Sequence, residues 1–193
     1  PQELEGQQIG AYLLVTLDAA SQDDLDTMLE QMAELVLDAG AMDVLVADTP
    51  AKIKDAWAAR SSFLEAIMHE TKLLDECDVV VPVNKIADYL DFVNKTGEEC
   101  GLVIKSFGHA GDGNLHIYQC SNDLEEEEFK SRVDKFFEII YKEAASCGGL
   151  VSGEHGIGSG KIKYLVDSVG ETNMALMEGI KRVFDPKMIL NPG

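Results

Sequence analysis

Two glycine-rich stretches hold most of the residues in this chain that could do chemistry. Residues 108–116 read GHAGDGNLH and residues 152–161 read SGEHGIGSGK, and together they contain three of the four histidines. Glu154 adds a carboxylate beside His155. Two imidazoles and a carboxylate are a common ligand set for a divalent metal, and a further imidazole could move a proton. We therefore predict a small metal site with an adjacent acid–base group.

The spacing inside the first stretch predicts how its two histidines meet. Asp-Gly at residues 112–113 is a strong signal for a two-residue β-hairpin turn. Such a turn would pair Gly111 with Asn114 and would set His109 directly opposite His116. Side chains at directly opposed positions have Cβ atoms about 4.5–5.5 Å apart, which is close enough to share one metal ion.

Glu154 and His155 need a turn to reach one site, because adjacent side chains of a regular strand point to opposite faces. Gly153 and Gly156 flank them and permit backbone with positive φ. The same stretch does not fit a phosphate-binding loop. That loop requires a glycine six residues before its lysine, and the residue six before Lys161 is His155. We expect Lys161 to be a surface lysine that could reach an anion.

The composition is that of a folded, acidic protein. The 193 residues are 46% hydrophobic and 26% charged, with a formal net charge of −19 at pH 7. Such a charge repels nucleic acids and anionic membrane surfaces, so neither is expected as a partner. No apolar run reaches the roughly 18 residues of a membrane span, and no signal peptide is visible. The four cysteines show no C-x-x-C spacing, so we expect reduced thiols and a cytoplasmic location.

Apolar periodicity and turn residues predict an α+β fold. The predicted strands are short apolar runs, at residues 11–18, 42–47, 77–83, 102–106 and 115–119. The predicted helices have apolar residues at helical spacing, at residues 21–39, 50–72, 84–100, 123–145, 162–169 and 172–184. This order predicts a mainly antiparallel sheet with helices on one face over residues 1–150. A helical C-terminal segment, 151–193, would pack on something outside this chain.

Four stretches together resemble the C-terminal half of FAD-linked 2-hydroxyacid dehydrogenases of the vanillyl-alcohol-oxidase type. They are the two glycine-rich stretches, the DVVVP strand at residues 78–82 and the LNPG ending at residues 190–193. The family includes D-lactate dehydrogenases, the flavin subunit of glycolate oxidase and D-2-hydroxyglutarate dehydrogenase. The resemblance implies a ferredoxin-like substrate (cap) domain in a longer polypeptide, whose FAD-binding domain would contact residues 151–193. The whole protein would oxidise a small 2-hydroxy acid to the 2-oxo acid, and the isolated chain would be inactive.

The resemblance also implies roles for the residues of the two stretches. His109, His116 and Glu154 would bind a divalent metal, which is often zinc in the family, although the same ligands also suit iron or manganese. His155 would be the catalytic base.

Further roles follow from positions outside the two stretches. Arg60 would hold the substrate carboxylate, and Asn191 would approach the flavin. The hydroxyglutarate enzymes carry a lysine where this chain has Glu76 and a hydroxyl where it has Leu64, so a monocarboxylate such as lactate or glycolate is favoured. An electron-transferring flavoprotein or an iron–sulfur subunit would be the electron-transfer partner.

Two other functions need the same residues. In a metal-dependent hydrolase, a metal-bound water held by His109, His116 and Glu154 would be the nucleophile, and no flavin domain would be needed. Alternatively, the isolated chain would be a non-catalytic metal-binding module. A glycine-rich FAD-binding sequence upstream of Pro1 would favour the oxidoreductase.

Overall fold

The computed structural model describes residues 3–4 and 6–192. The chain divides into two compact units, Pro1–Leu64 and Glu65–Gly193. The boundary predicted at residue 150 is a different one. It separates a cap domain from a C-terminal segment that would pack on an FAD domain, and it stays a prediction.

Two helices are the main regular elements of the first unit. A short antiparallel ladder joins β1 (Glu3–Leu4) to β2 (Gln7–Gln8), and the helices α1 (Gln22–Asp38) and α2 (Pro50–Ser61) follow. The Ser21 side chain caps the N-terminus of α1 by accepting a backbone N–H. Both helices begin within one residue of their predicted starts, because each has a cap or a first-turn proline to mark it.

The strands predicted at residues 11–18 and 42–47 are wrong. The structure has no strand between residues 9 and 72, and apolar side chains of both runs are largely exposed, with Leu45 89% exposed. A strand is stable when its backbone groups pair with a neighbour and one of its faces is covered. Within the described part of the first unit, neither run has such a neighbour.

A three-stranded antiparallel sheet organises the second unit. The strands β3 (Leu73–Val80), β4 (Val103–His109) and β5 (Asn114–Ser121) pair in the order β3-β5-β4. The hairpin strands β4 and β5 are neighbours, and β3 lies on the other side of β5. The central strand β5 is therefore paired on both edges and is buried along its whole length.

Helices cover one face of this sheet. The helices that follow α2 are α3 (Phe63–Glu70), α4 (Ile86–Cys100), α5 (Glu126–Ser146) and α6 (Ile162–Phe184). α4 and α5 pack against each other and against the sheet, where Val79, Ile117 and Phe136 are fully buried in the main core. The predicted α+β class with an antiparallel sheet is confirmed, but the helices do not all lie on one face, because Ile67 of α3 packs with Tyr118 and Cys120 on the opposite face.

The other face of the sheet carries polar and aromatic side chains. Side chains alternate along a strand, so Glu76 and Asp78 point away from the core that Cys77 enters. Across the β3–β5 pair, Asp78 faces His116 and Glu76 faces Tyr118. The chemistry-bearing side chains of β3 and β5 therefore lie together on the face that α4 and α5 leave uncovered.

Helix boundaries differ from prediction where turn residues intervene. The helix predicted from Pro50 onward breaks at Ser62 into α2 and α3. Asn84 does not cap α4, because it lies inside a short 3₁₀ helix at Val83–Lys85. Gly170, at φ 77°, interrupts α6 where two separate helices are predicted. Among the described residues, no helix has both the length and the apolar character needed to cross a bilayer.

Candidate functional site

The two glycine-rich stretches converge on the face of the sheet opposite α4 and α5. His109 ends β4 and His116 lies in β5, while Glu154 and His155 lie in the loop that follows the Val80–Leu150 bridge. Glu154 Oε1 lies 2.9 Å from His116 Nε2 and 3.9 Å from His109 Nε2. The rings of His116 and His155 are adjacent, with centroids 4.8 Å apart. The structure therefore brings His109, His116, Glu154 and His155 together.

The hairpin register differs from the predicted one. β4 and β5 pair His109 with Asn114 and Phe107 with His116, so the loop covers residues 110–113. The slip from prediction is two residues, which equals the side-chain period of a strand, and both histidines stay on the same face. They are diagonal rather than direct neighbours, with ring centroids 6.0 Å apart.

The turn residues explain this register. A two-residue type I′ turn needs positive φ at both central positions. Within the loop only Gly113 has positive φ, at 74°, and Asp112 does not. The Asp112 N–H instead donates to the His109 carbonyl at 3.0 Å, which closes a longer turn.

The separations among His109, His116 and Glu154 suit a small divalent cation. Two ligand atoms bound tetrahedrally at 2.0–2.2 Å are about 3.4 Å apart. The two distances from Glu154 Oε1 to the imidazole nitrogens, 2.9 and 3.9 Å, fall on either side of that value. His116 is buried, whereas the other two side chains are about half exposed, which leaves an open side for a further ligand.

Asp78 shapes the loop that carries Glu154 and His155. Its carboxylate is fully buried, and Oδ2 accepts the backbone N–H groups of Gly153, Glu154 and His155 at 2.8, 2.8 and 3.0 Å. The Ser152 hydroxyl donates to the same carboxylate at 3.1 Å. Successive N–H groups that point at one anion bend the backbone, so the loop turns two adjacent side chains toward the histidines.

Lys161 is the cationic partner of Asp78. Its ammonium forms an ion pair with Asp78 Oδ1, and its side chain is only 16% exposed. The prediction of a surface lysine is therefore wrong, because a buried carboxylate requires a nearby cation or several donors. Burial alone would raise the pKa of the Asp78 carboxyl, but the His155 N–H and the Lys161 ammonium outweigh it and hold that pKa well below its usual range.

Glu76 lies against the other edge of the histidine pair. Its Oε1 is 3.4 Å from Nδ1 of His116 and 3.4 Å from Nδ1 of His155, and it accepts a hydrogen bond from the Tyr118 hydroxyl at 3.0 Å. The sequence marks Glu76 only as a departure from the hydroxyglutarate enzymes. Its place in the site depends on the pairing of β3 with β5, which the sequence does not reveal.

The two remaining predicted site residues lie elsewhere in the chain. Arg60 is in the last turn of α2, in the first unit, and is partly buried. Asn191 lies in the tail after α6, at φ 45°. The buried Asp185 orders that tail by accepting the N–H groups of Ile189 and Leu190 at 3.1 and 2.9 Å. The roles of Arg60 and Asn191 stay predictions.

Comparison with known proteins identifies relatives along the whole chain. Residues 3–193 match the family model for the C-terminal domain of FAD-linked oxidases. The chain is 60% identical to a D-lactate dehydrogenase of Anaerostipes hadrus over 100% of its own length and 41% of that protein. It is 38% identical to a D-lactate dehydrogenase of Archaeoglobus fulgidus and 32% identical to the glycolate oxidase subunit GlcD of Bacillus subtilis. Each of these two alignments covers 95% of this chain and 38% of the relative.

This chain belongs to the family of FAD-linked oxidase C-terminal domains, as its sequence motifs predict. It spans between 38% and 41% of the length of these relatives. Family membership favours an FAD-linked oxidoreductase over a metal-dependent hydrolase.

Proposed function

We propose that this chain is the substrate-binding part of an FAD-linked dehydrogenase that oxidises a small 2-hydroxy acid to the 2-oxo acid. One observation carries the proposal, namely the convergence of three histidines and Glu154 on one open face of the sheet. Relatives named as D-lactate dehydrogenase and glycolate oxidase subunit support a monocarboxylate substrate such as lactate or glycolate.

His109, His116 and Glu154 would hold one divalent metal, with zinc, iron and manganese all compatible with two nitrogen donors and one oxygen donor. When bound, the metal supplies Lewis acidity toward the substrate hydroxyl, and the FAD supplies a hydride acceptor. The half-exposed side chains of His109 and Glu154 leave room for the hydroxyl and carboxylate oxygens of the substrate.

His155 would accept the hydroxyl proton of the substrate. Its ring lies beside His116, and its side chain is 44% exposed, so a bound substrate could reach it. Imidazole is the side chain best suited to take up a proton near neutral pH. The backbone hydrogen bond from His155 to Asp78 would keep this base at a fixed place in the loop.

The charges of Arg60 and Glu76 would select the substrate. We assign Arg60 to the substrate carboxylate, because a guanidinium binds a carboxylate through two parallel hydrogen bonds. The Glu76 carboxylate beside the histidines would repel a second acidic group. Lactate and glycolate would therefore be better substrates than 2-hydroxyglutarate.

The C-terminal segment, residues 151–193, would pack on the FAD domain of the same polypeptide, with Asn191 near the flavin. The second half of α6 exposes Leu176, Ile180, Val183 and Phe184, which recur at the spacing of one helix face. An exposed apolar face of this kind normally has a partner. The relative from Anaerostipes hadrus is long enough to provide one, since this chain matches only 41% of it.

Anaerobic flavin reduction tests the proposed function. The intact polypeptide would be mixed with D-lactate, L-lactate, glycolate or 2-hydroxyglutarate while flavin absorbance is recorded. We expect a lactate enantiomer or glycolate to bleach the flavin and 2-hydroxyglutarate to be much slower. If no 2-hydroxy acid reduces the flavin, the proposed function is wrong.

The same assay tests the role of His155. His155→Ala should slow flavin reduction by about 10²–10⁴-fold, the usual contribution of a general base. His69→Ala is the matched control, because His69 is an exposed histidine at the end of α3. Reduction by His155→Ala at the rate of the control would remove His155 from the mechanism.

A further inference from the structure

We propose that Glu76 is a positioning residue that orients the rings of His116 and His155 together, by facing the Nδ1 atom of each. The inference rests on the proposed function, because it concerns how these two histidines serve as metal ligand and base. One carboxylate oxygen, Glu76 Oε1, lies 3.4 Å from the Nδ1 atom of each ring. Each Nδ1 therefore faces the same negative charge, and each Nε2 is left for another task.

The geometry at His116 requires a proton acceptor on its Nδ1 side. Its Nε2 is the nitrogen that faces Glu154, at 2.9 Å, and would be the metal ligand. A neutral imidazole that ligates through Nε2 carries its proton on Nδ1. This ring is buried, and within the described residues its Nδ1 makes no hydrogen bond of good geometry. Glu76 is the carboxylate within reach, and metal-ligating histidines commonly donate their second N–H to such a group.

The same oxygen would orient His155. A base must present an unprotonated nitrogen to the substrate, so its other nitrogen must keep the proton. In serine hydrolases a carboxylate performs this task by accepting the Nδ1–H of the catalytic imidazole, which fixes the tautomer. Glu76 faces His155 Nδ1 in the corresponding position. Because the His155 side chain is 44% exposed, packing alone holds it weakly and the carboxylate contact matters more.

Tyr118 holds Glu76 in this position. The two residues are paired across β3 and β5, and the Tyr118 hydroxyl donates to Glu76 Oε1 at 3.0 Å. Phe107 stacks on the Tyr118 ring with centroids 5.0 Å apart and also contacts His116. The carboxylate thus sits on a rigid strand pair rather than on a loop, which suits a group that must orient others.

A second cation between Glu76, His116 and His155 is the competing interpretation, since their ligand atoms also lie within 4.8 Å of one another. A second cation would require His116 to bind metal through both of its ring nitrogens. It would also bind His155, which could then no longer act as the base. The positioning role leaves His155 free to act and uses each nitrogen of His116 once. Metal stoichiometry separates the two interpretations.

Metal affinity of the intact polypeptide is the first test. Glu76→Gln should raise the Kd for the metal by about 10–100-fold, the usual effect of losing a carboxylate behind a metal-bound histidine. Asp75→Asn is the matched control, because Asp75 is the adjacent exposed carboxylate on β3 and points to the other face. Tyr118→Phe should also raise the Kd for the metal, but by a smaller factor than Glu76→Gln. Equal Kd values for Glu76→Gln and Asp75→Asn would overturn the proposal.

Turnover at saturating metal is the second test. Glu76→Gln should lower kcat by roughly 10–100-fold with little change in KM, since the base is misoriented while the metal still binds substrate. Glu76→Asp should recover part of the loss, and a purely structural role would lower only the melting temperature. Wild-type binding of two metal equivalents, with one lost in Glu76→Gln, would make Glu76 a ligand and overturn the positioning role. Failure of the proposed function would show separately, as full metal retention by His116→Ala or absence of flavin reduction.

Discussion

At the scale of residues, the site depends on a buried carboxylate that does not touch the proposed metal. Asp78 accepts three consecutive backbone N–H groups and pairs with the Lys161 ammonium. Glu154 and His155 are adjacent in sequence, and a regular strand would send them to opposite faces. Their common orientation toward the sheet therefore follows from the turn that Asp78 imposes.

Asp78→Asn should destabilise the protein and weaken metal retention. Asparagine lacks the charge that Lys161 requires, and breaking a buried ion pair costs about 3–5 kcal/mol. Chemical unfolding measures the change in free energy of unfolding. Asp88→Asn on α4, where the side chain is 81% exposed, should change it by less than about 0.5 kcal/mol. Equal stability of the two variants would show that the Asp78 pair does not hold the loop.

The sequence predicts the histidines of the site better than their supporting carboxylates. Histidine is rare in this chain, so its clustering in two stretches is visible without a structure. Asp78 and Glu76 stand among 35 acidic residues, and only the pairing of β3 with β5 separates them from the exposed ones. A charge at the head of the apolar DVVVP run is the one local signal that could have indicated Asp78.

At the scale of elements, the β4–β5 loop is hydrogen-bonded to the residue that follows β3, the strand on the other edge of β5. The Val81 N–H, just beyond β3, donates to the Gly113 carbonyl at 3.0 Å. A Cβ atom on Gly113 would lie 2.0 Å from the Val81 carbonyl oxygen, and the residue has φ 74°. Only glycine meets both conditions, so Gly113 and its contact with Val81 constrain the loop that ends beside the proposed metal site.

Gly113→Ala should lower the free energy of unfolding by about 2–5 kcal/mol, the sum of left-handed backbone strain and overpacking. Gly111→Ala is a control in the same loop, since a Cβ there meets nothing within 4 Å. It should change stability by less than about 1 kcal/mol. Urea unfolding of both variants compares them directly, and similar losses would mean that the loop is not clamped as described.

Capped helices are predicted well from this sequence, and strands are predicted less well. α1 has a serine cap and helical periodicity, and both signals are local. The run at residues 11–18 has the composition of a strand but no strand partner in the described structure. The hairpin error has the same origin, because register depends on the loop conformation and on contacts with Val81. Because the register differs from prediction by two residues, His109 and His116 still lie on the same face of the sheet, and the predicted histidine cluster forms.

At the scale of the whole molecule, the second half of α6 is the exposed apolar face on which the proposed FAD domain would pack. Its apolar side chains include Phe184, which is 81% exposed. Burying one such face against an FAD domain would fix the C-terminal tail and Asn191 relative to the flavin. Interdomain packing would then contribute to the stability of the intact polypeptide but not to that of the isolated chain.

Ile180→Lys should lower the melting temperature of the intact polypeptide, because a charge would enter the proposed interdomain contact. A loss of about 1–3 kcal/mol corresponds to several degrees. Glu171→Lys is the control, since Glu171 lies on the opposite side of the same helical segment and is exposed. If both variants have the melting temperature of the wild type, the α6 face is not the docking surface.

Metal content tests the central claim most directly, because the proposed activation of the substrate would depend on one cation held by His109, His116 and Glu154. Elemental analysis would be done on the intact polypeptide as wild type, His116→Ala and the control His69→Ala. We expect about one equivalent in the wild type and in His69→Ala, and roughly none in His116→Ala, which lacks the buried ligand of a three-residue site. A full equivalent in His116→Ala, or no metal in the wild type, would contradict the proposed site.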